Sequence, residues 1–161
     1  MDLGQSVPNV AIELSDGSKK LLQDLWRDQV LVLYFYPKDE TSGCTVQACT
    51  FRDQYQDFCD AGAEVIGISH DPVSSHQQFA ANHRLPFLLV SDSDGTLHRL
   101  FGVKSIFGFV KGRVTFVIDN TGVVRFKFAS RIFFEKHVHV ALACVRKLVQ
   151  EKYQNGKKKE A

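Results

Sequence analysis

The stretch VLVLYFYPKDETSGCTVQACTFRDQYQDFCDAGAEVIGIS, residues 30–69, decides the fold. It begins with VLVLYFY (30–36), a continuous β-branched and aromatic run that is typical of a strand buried on both faces of a sheet. It ends with AEVIGIS (63–69), a second run of the same kind. The residues between them, 44–61, have a helical pattern with a glycine near the end. The apolar side chains that fall roughly on one face of this helix are Val46, Phe51, Tyr55 and Phe58. Strand, helix and strand form a crossover unit with a parallel pair of strands.

The flanking segments extend this unit to a complete α/β chain. The turn-rich tetrapeptide SDGS (15–18) predicts an N-terminal hairpin, and NTG (120–122) predicts a second hairpin near the end of the chain. The predicted elements outside residues 30–69 are strands over 10–14 and 19–22, a helix over 73–84, a strand over 86–92, a short helix over 94–101 that ends at Gly102, strands over 113–119 and 123–129, and a last helix over 135–150. A parallel unit followed by an antiparallel hairpin and a closing helix is the thioredoxin-like order. We therefore expect a thioredoxin-like fold, with a central mixed β-sheet flanked by helices and an N-terminal β-hairpin extension.

Length and composition are those of one globular domain. The chain has 161 residues, so residues 1–161 are expected to form a single domain, with 151–161 as a polar, frayed tail. A formal net charge of +2 gives no global field that would attract nucleic acid. No apolar stretch approaches the roughly 18 residues of a transmembrane helix, and the N-terminus lacks the pattern of a signal peptide. We expect a cytoplasmic protein without nucleic-acid or membrane partners. An organelle such as a plastid is the alternative, if a transit peptide has been removed.

Cys44 is the strongest candidate for a reactive residue. Four cysteines are too few for a disulfide scaffold, and closely spaced cysteines in a reducing compartment are more often catalytic or metal-binding than structural. Cys44 follows the carboxyl end of a predicted strand and lies in the first turn of the next helix, where partial positive charge stabilises a thiolate. The guanidinium of Arg113, at the start of a later strand, would add to this effect. The alternative is that Cys44 is a small buried hydrophobic residue.

Two residues before Cys44 are candidates for the same site. The Thr41 hydroxyl can accept a hydrogen bond from the thiol, donate one to a substrate oxygen, or cap the helix. Spacing alone favours the cap. Pro37 ends the strand, and its ring would shield the site from water.

These residues match a known pattern. Pro37-x-x-x-Thr41-x-x-Cys44 is similar to the active-site signature of the peroxiredoxin family. The segments that resemble its peroxiredoxin Q branch, also called bacterioferritin comigratory protein, are GCTVQACTFRD (43–53), AGAEVIGIS (61–69), LPFLLVSD (85–92) and FGFVKGRVTFVID (107–119). The resemblance spans about residues 3 to 150. One departure is Ser42, at a position that is often proline in this branch, which bears on the stiffness of the loop.

The resemblance implies a role for each of these residues. Cys44 would be the peroxidatic cysteine, which attacks a hydroperoxide and becomes a sulfenic acid. Thr41 and Arg113 would polarise the peroxide oxygens, and Pro37 would shield the sulfenate. The substrates would be hydrogen peroxide and small organic hydroperoxides, the reductant thioredoxin or a similar dithiol, and the protein a monomer. No cofactor or metal is implied.

Cys49 is suggested by the resemblance as the resolving cysteine. In an ideal helix, Cα atoms five residues apart are about 8.7 Å from each other. A disulfide needs about 4.4–6.8 Å, so a Cys44–Cys49 bond requires the first turns of the helix to unwind. Capture as a disulfide would also prevent irreversible over-oxidation of Cys44. The alternative is that Cys49 is a packed helix residue and that an external thiol reduces Cys44.

The remaining cysteines and the histidines have no assigned chemistry. Cys59 and Cys144 are expected to fill core or near-core space. The six histidines show no recognised metal spacing and are expected at the surface. Two further classes of function stay open: a thioredoxin-fold binding or electron-carrier module without peroxidase activity, and a metal-binding module. The chain contains no Cys-x-x-Cys, the usual spacing for disulfide exchange, which argues against the first of these.

Overall fold

The computed structural model of the chain describes residues 1–106, 109–110 and 112–160. The strands are β1 (Ala11–Glu13), β2 (Lys19–Leu21), β3 (Val30–Phe35), β4 (Ala63–Ser69), β5 (Leu89–Ser91), β6 (Ser105–Ile106), β7 (Phe109–Val110), β8 (Val114–Ile118) and β9 (Val124–Ala129). The α-helices are α1 (Ser42–Asp60), α2 (Val73–His83), α3 (Thr96–Phe101) and α4 (Phe134–Glu160), and a 3-10 helix covers Leu22–Leu25. None of the described helices is both long and apolar enough to cross a membrane.

Strand β3 lies at the centre of a five-stranded sheet with the order β5-β4-β3-β8-β9. It runs parallel to β4 on one side and antiparallel to β8 on the other. Phe35 pairs with both Ile68 on β4 and Val114 on β8, so the carboxyl end of β3 lies beside the beginning of β8. Both faces of β3 are covered, which explains why its sequence is a continuous apolar run.

The side chains of β3 enter two cores, because successive residues of a strand point to opposite faces. Leu31, Leu33 and Phe35 pack in a core with the N-terminal hairpin and α3, which we call the hairpin-side core. Val32 and Tyr34 pack in the core beneath α1, α2 and α4, which we call the helix-side core. The sheet therefore separates two sets of buried residues.

Trp26, the one tryptophan in the sequence, belongs to the hairpin-side core. Its indole lies against Gly122 in the turn between β8 and β9, where φ is +82°. A Cβ at position 122 would lie 2.9 Å from the indole, so both the backbone conformation and the close approach require glycine there.

The predicted crossover unit and both hairpins are present, with β4 at the predicted residues. Strand β5 is shorter than predicted, at Leu89–Ser91 in place of 86–92. The short antiparallel pair of β6 and β7 was not predicted. Residues 107, 108 and 111 of the segment FGFVKGRVTFVID lie outside the described residues.

Two predictions about the helices are wrong. Helix α4 continues to Glu160, beyond the predicted end at residue 150, because the polar residues that follow are mostly good helix formers without a proline. Val46 is 41% exposed and does not belong to the buried face of α1. That face is formed by Cys44, Ala48 and Phe51, whose spacing of three and four residues places Val46 on another side of the helix.

Candidate active site

Cys44 lies at the junction of β3 and α1, in the first turn of α1. The turn begins after Thr41, whose carbonyl accepts the first helical hydrogen bond from the Thr45 N–H at 2.9 Å. Cys44 is only 1% exposed and packs at the edge of the helix-side core. The prediction of a cysteine at the carboxyl end of the central strand is therefore confirmed in position, and its sulfur is sheltered from bulk water.

Arg113 reaches Cys44 because of the sheet register. It directly precedes β8, whose first residue, Val114, pairs with the last residue of β3. Its Nη1 donates to the Cys44 Sγ at 3.3 Å, and the residue is 6% exposed. Among the described residues, Arg113 forms no salt bridge with a carboxylate. A buried guanidinium without a competing anion stabilises the ionised form of the thiol that it contacts.

Gln47 is a site residue that the sequence analysis missed. Its Oε1 accepts a hydrogen bond from Arg113 Nη1 at 2.7 Å, and its side chain is fully buried. Gln47 Nε2 and Arg113 Nε are buried donors without a hydrogen-bond partner in the described part of the chain. The signal was present in the sequence, because a polar residue three positions after Cys44 lies on the same helix face.

Phe134 was missed as well. Phe134 is the first residue of α4. The centre of its ring lies 4.7 Å from the Arg113 guanidinium carbon, and this cation–π contact orients the Arg113 side chain. The ring also covers Gly43, where a Cβ would lie 2.6 Å from it and 3.2 Å from Arg113 Nη2. Only glycine at position 43 lets the helix begin this close to both side chains.

Thr41 and Pro37 flank this group without joining its hydrogen bonds. The Thr41 hydroxyl donates to the Lys38 carbonyl at 2.8 Å, so it neither caps α1 nor hydrogen-bonds to Cys44. The cap that spacing favoured is thus not formed, since the loop carbonyl competes for the hydroxyl. Pro37 lies two residues after the end of β3 and is half-buried.

The other three cysteines are separate from Cys44, and all four are free thiols. Cys49 is half-buried within the same continuous helix. Cys144 packs at the periphery of the helix-side core, as predicted, and burial raises the pKa of its thiol. Cys59 is exposed, so its predicted place in or near the core is wrong.

Tyr34 lies beneath the site in the helix-side core. Its hydroxyl is buried and has no hydrogen-bond partner among the described residues. Burial raises the pKa of Tyr34 well above its usual value. Tyr34 therefore stays a neutral phenol, and its ring stacks on Phe51 of α1 with the centroids 4.4 Å apart.

The prediction that the histidines lie at the surface is wrong for three of the six. His76, His98 and His137 are buried. Each ring nitrogen Nδ1 has a specific partner; His98 Nδ1, for example, lies 2.5 Å from an Asp92 carboxylate oxygen, whereas His98 Nε2 has no hydrogen-bond partner among the described residues. Burial lowers the pKa of His98 and lowers that of His137 to about 4, so both rings are neutral at pH 7.

Among the described residues, two groups of side chains bring metal-ligand atoms within 4.8 Å of one another. In the group His70, Asp92 and His98, the two imidazole rings stack 3.9 Å apart and only 17° from parallel. The Nδ1 atoms of both rings already contact Asp92, that of His70 at the carbonyl and that of His98 at the carboxylate. In the group Asp39, Asp71 and His76, the ligand atoms are already hydrogen-bonded to one another and to the backbone.

Comparison with known proteins agrees with this geometry. Residues 3–127 match the AhpC/TSA family. The chain belongs to that family. Among curated relatives, the chloroplastic peroxiredoxin Q proteins of Populus jackii and Triticum aestivum are each 44% identical over 146 residues, which is 90% of this chain and 68% and 67% of theirs. The structure of the peroxidoxin BcpB from Mycobacterium tuberculosis is 36% identical, with a TM-score of 0.86 over 91% of this chain and 97% of that one.

A second solved relative names an activity. It is the Xanthomonas campestris bacterioferritin comigratory protein, studied for alkyl peroxide reduction, which is 33% identical with a TM-score of 0.79 over 87% of this chain and 92% of that one. Membership of the AhpC/TSA family and the Q-type relatives confirm the resemblance drawn from the sequence and the thioredoxin-like fold. They also confirm that this family member is an enzyme, a thiol-dependent peroxidase.

Proposed function

We propose that Cys44 is the peroxidatic residue of this peroxidase, with Arg113 as its activating partner. The observation that carries the proposal is the 3.3 Å contact between Arg113 Nη1 and the Cys44 sulfur. The guanidinium favours the thiolate, which is the nucleophile. The remaining cysteines lack such a partner among the described residues, and burial raises the pKa of one of them, Cys144.

In the proposed reaction, the Cys44 thiolate attacks the terminal oxygen of a hydroperoxide. An S–O bond forms and the O–O bond breaks, so the sulfur is oxidised to a sulfenic acid and the peroxide is reduced. The leaving alkoxide or hydroxide takes up one proton and departs as alcohol or water. The unpartnered donors Arg113 Nε and Gln47 Nε2 lie in the same cluster and support stabilisation of the charge that develops on the peroxide oxygens.

Thr41 and Pro37 have supporting roles in this proposal. Thr41 is exposed at the rim, and its hydroxyl can exchange the Lys38 carbonyl for a peroxide oxygen by rotation about χ1. Pro37, half-buried behind it, limits the access of water to the sulfenic acid.

Cys49 is the proposed resolving residue. Its thiol attacks the Cys44 sulfenic acid, an S–S bond forms, and water leaves. Since both residues lie in the intact helix α1, this step requires the first turns of α1 to unwind. Thioredoxin or a similar dithiol then reduces the disulfide, and the protein acts as a monomer. The alternative is a one-cysteine cycle in which an external thiol reduces the sulfenic acid.

Hydrogen peroxide and small organic hydroperoxides are the proposed substrates. The alkyl peroxide reduction named for the Xanthomonas campestris relative supports the organic class. The Phe134 ring beside Arg113 also offers an apolar surface to an alkyl group at the site. Of the two compartments considered, the chloroplastic descriptions of the plant relatives support the plastid, whereas the cytoplasm remains a prediction.

The test compares Cys44→Ser with the matched control Cys59→Ser. Wild type and Cys59→Ser should consume hydrogen peroxide with thioredoxin and its reductase, and Cys44→Ser should not. Peroxidase activity that persists in Cys44→Ser would contradict the assignment. In Cys49→Ser, one equivalent of peroxide should still be reduced, and sustained turnover of that variant with thioredoxin would favour the one-cysteine cycle.

A further inference from the structure

The loop between β3 and α1, which precedes Cys44, forms hydrogen bonds with both ends of α2. Asp39 contacts the first turn of α2, and Glu40 contacts its last turn. Both residues lie in the short loop that ends at Thr41, where α1 begins. The position of the first turn of α1, and of Cys44 within it, therefore depends on a helix that does not itself carry a site residue.

Asp39 makes the inner attachment. The residue is 5% exposed, and each carboxylate oxygen is used. Oδ2 lies 2.7 Å from His76 Nδ1 and accepts from the Ser75 hydroxyl at 2.8 Å, whereas Oδ1 accepts from the Tyr36 hydroxyl at 2.5 Å. Its backbone N–H donates to Asp71 at 2.8 Å. These four hydrogen bonds to four different residues hold the backbone and side chain of Asp39 in one conformation.

His76 links this attachment to the sheet. Its Nε2 lies 3.0 Å from the Val90 carbonyl in β5, and a carbonyl only accepts, so Nε2 carries a hydrogen. Its Nδ1 faces the Asp39 carboxylate at 2.7 Å. The ring is fully buried, so it bridges the loop and β5 across the start of α2.

Glu40 makes the outer attachment, in a strained conformation. Its φ is +62°, in the left-handed region that non-glycine residues rarely adopt. Its carboxylate accepts hydrogen bonds of 3.0 Å from both His83 and Asn82. The bond from His83, followed by that from Asn82, lowers the pKa of Glu40. Such a conformation persists only where surrounding contacts impose it.

We propose that the contact between Asp39 and His76 is a positioning device for the Cys44 thiolate. It fixes the loop up to Thr41, so that α1 begins where Arg113 can meet the sulfur. It also sets Thr41 as the boundary beyond which α1 unwinds when the disulfide forms. This inference rests on the proposed function of Cys44, and Asp39 and His76 act through the loop without touching the sulfur.

The chain supplies a matched control for a test. His98, like His76, is a buried histidine whose Nδ1 contacts an aspartate. The distance from His98 Nδ1 to the Asp92 carboxylate is 2.5 Å. It belongs to α3 and makes no contact with the loop before Cys44. The variants are His76→Gln, Asp39→Asn and the control His98→Gln.

Two readouts are measured on the full-length reduced protein. The first is the rate of Cys44 oxidation by hydrogen peroxide in a single turnover, followed as loss of the free thiol and mapped by mass spectrometry. We expect His76→Gln and Asp39→Asn to slow it by about tenfold or more, as displacement of a reacting group does. The second is amide exchange over residues 38–46, which should rise in both variants. The control should keep the wild-type rate and exchange, even if its melting temperature falls.

Wild-type oxidation and wild-type exchange in both variants would overturn the proposal, and so would an equal loss in His98→Gln. If His76→Gln does not fold, Asp39→Asn, which preserves size and most hydrogen-bond reach, decides the question alone. Wild-type protein that is oxidised at a residue other than Cys44 would instead overturn the proposed function. The exchange readout then still decides whether Asp39 and His76 fix the loop.

Discussion

Arg113 faces the Cys44 sulfur, the Gln47 amide and the Phe134 ring, a set without a carboxylate. A guanidinium that is desolvated and paired with neutral groups keeps its full charge available to the one group that can ionise, the thiol. The proposed reactivity of Cys44, at the scale of single residues, is therefore a property of its neighbours Arg113, Gln47 and Phe134.

Arg113→Ala should slow oxidation of Cys44 by about 10²-fold, the size of effect seen when one charge-stabilising donor is removed from an active site. The rate of Arg113→Lys should lie between those of wild type and Arg113→Ala, because lysine keeps the charge but loses the planar guanidinium whose Nη1 donates to both the sulfur and Gln47. The measurement is the second-order rate constant of thiol loss with hydrogen peroxide. Wild-type rates in Arg113→Ala would show that the guanidinium does not act on the thiolate.

Gln47→Glu tests the need for a neutral partner. A carboxylate at 2.7 Å from Arg113 Nη1 would pair with the guanidinium and compete with the thiolate for its charge. We expect Gln47→Glu to slow Cys44 oxidation more than Gln47→Ala does. The matched control is Gln56→Glu, an exposed position on the same helix, which should leave the rate unchanged. An equal or smaller loss in Gln47→Glu would contradict the argument.

At the scale of elements, α1 has two tasks that conflict. Folded, it holds Cys44 against Arg113; in the proposed cycle it must open so that Cys49 can reach Cys44. Its N-terminal turn contains Gly43 and lacks a side-chain cap, whereas its later turns are anchored by Phe51 and Phe58 in the helix-side core. Unwinding is therefore expected to begin at Ser42 and to stop before Phe51.

Oxidation by one equivalent of peroxide should produce a Cys44–Cys49 disulfide and faster amide exchange over residues 43–50. The reason is that the helical span between the two Cα atoms exceeds the reach of a disulfide. Trypsin cleavage after Lys38 and Arg52 places both cysteines in one peptide, residues 39–52, which should lose two hydrogens in mass. A disulfide from Cys44 to Cys59 or Cys144, or unchanged exchange over 43–50, would contradict this switch.

Local patterns predicted most of these elements, and long-range contacts explain what they missed. The apolar run of β3 and the turn residues of SDGS and NTG are each local patterns of neighbouring residues. The strands of the sheet could therefore be predicted from the sequence. The burial of His76 and His98 could not, because it depends on Asp39 and Asp92, 37 and 6 residues away along the chain. Phe134 could not be predicted either, because it joins the site only through its contact with Arg113, which lies on a different segment of the chain.

At the scale of the whole molecule, buried neutral histidines make stability depend on pH. His137 Nε2 donates to the Ser130 carbonyl at 2.8 Å, so its Nδ1 accepts from the Thr115 hydroxyl at 2.8 Å. Burial lowers its pKa from 6.5 to about 4. Between these values the unfolded chain binds more protons than the folded one, so stability falls as pH decreases from about 6.5 to about 4.

His137→Gln should therefore flatten the dependence of melting temperature on pH between 7 and 5, although the variant itself melts lower than wild type. The control is His139→Gln, an exposed histidine on the same helix, which should keep the wild-type slope. The measurement is thermal unfolding by circular dichroism at each pH. Equal slopes in wild type and His137→Gln would show that other groups, such as His98, account for the acid sensitivity.

The packing of Trp26 against Gly122 has a practical consequence for spectroscopy. The sole indole fluorophore lies in the hairpin-side core, across the sheet from Cys44 and α1. Its emission should change when the whole sheet unfolds, and it should stay constant while the first turns of α1 unwind and refold. Fluorescence and far-UV circular dichroism can be recorded on one sample during a peroxide titration. Together they would distinguish local unwinding of α1 from global unfolding without any engineered label.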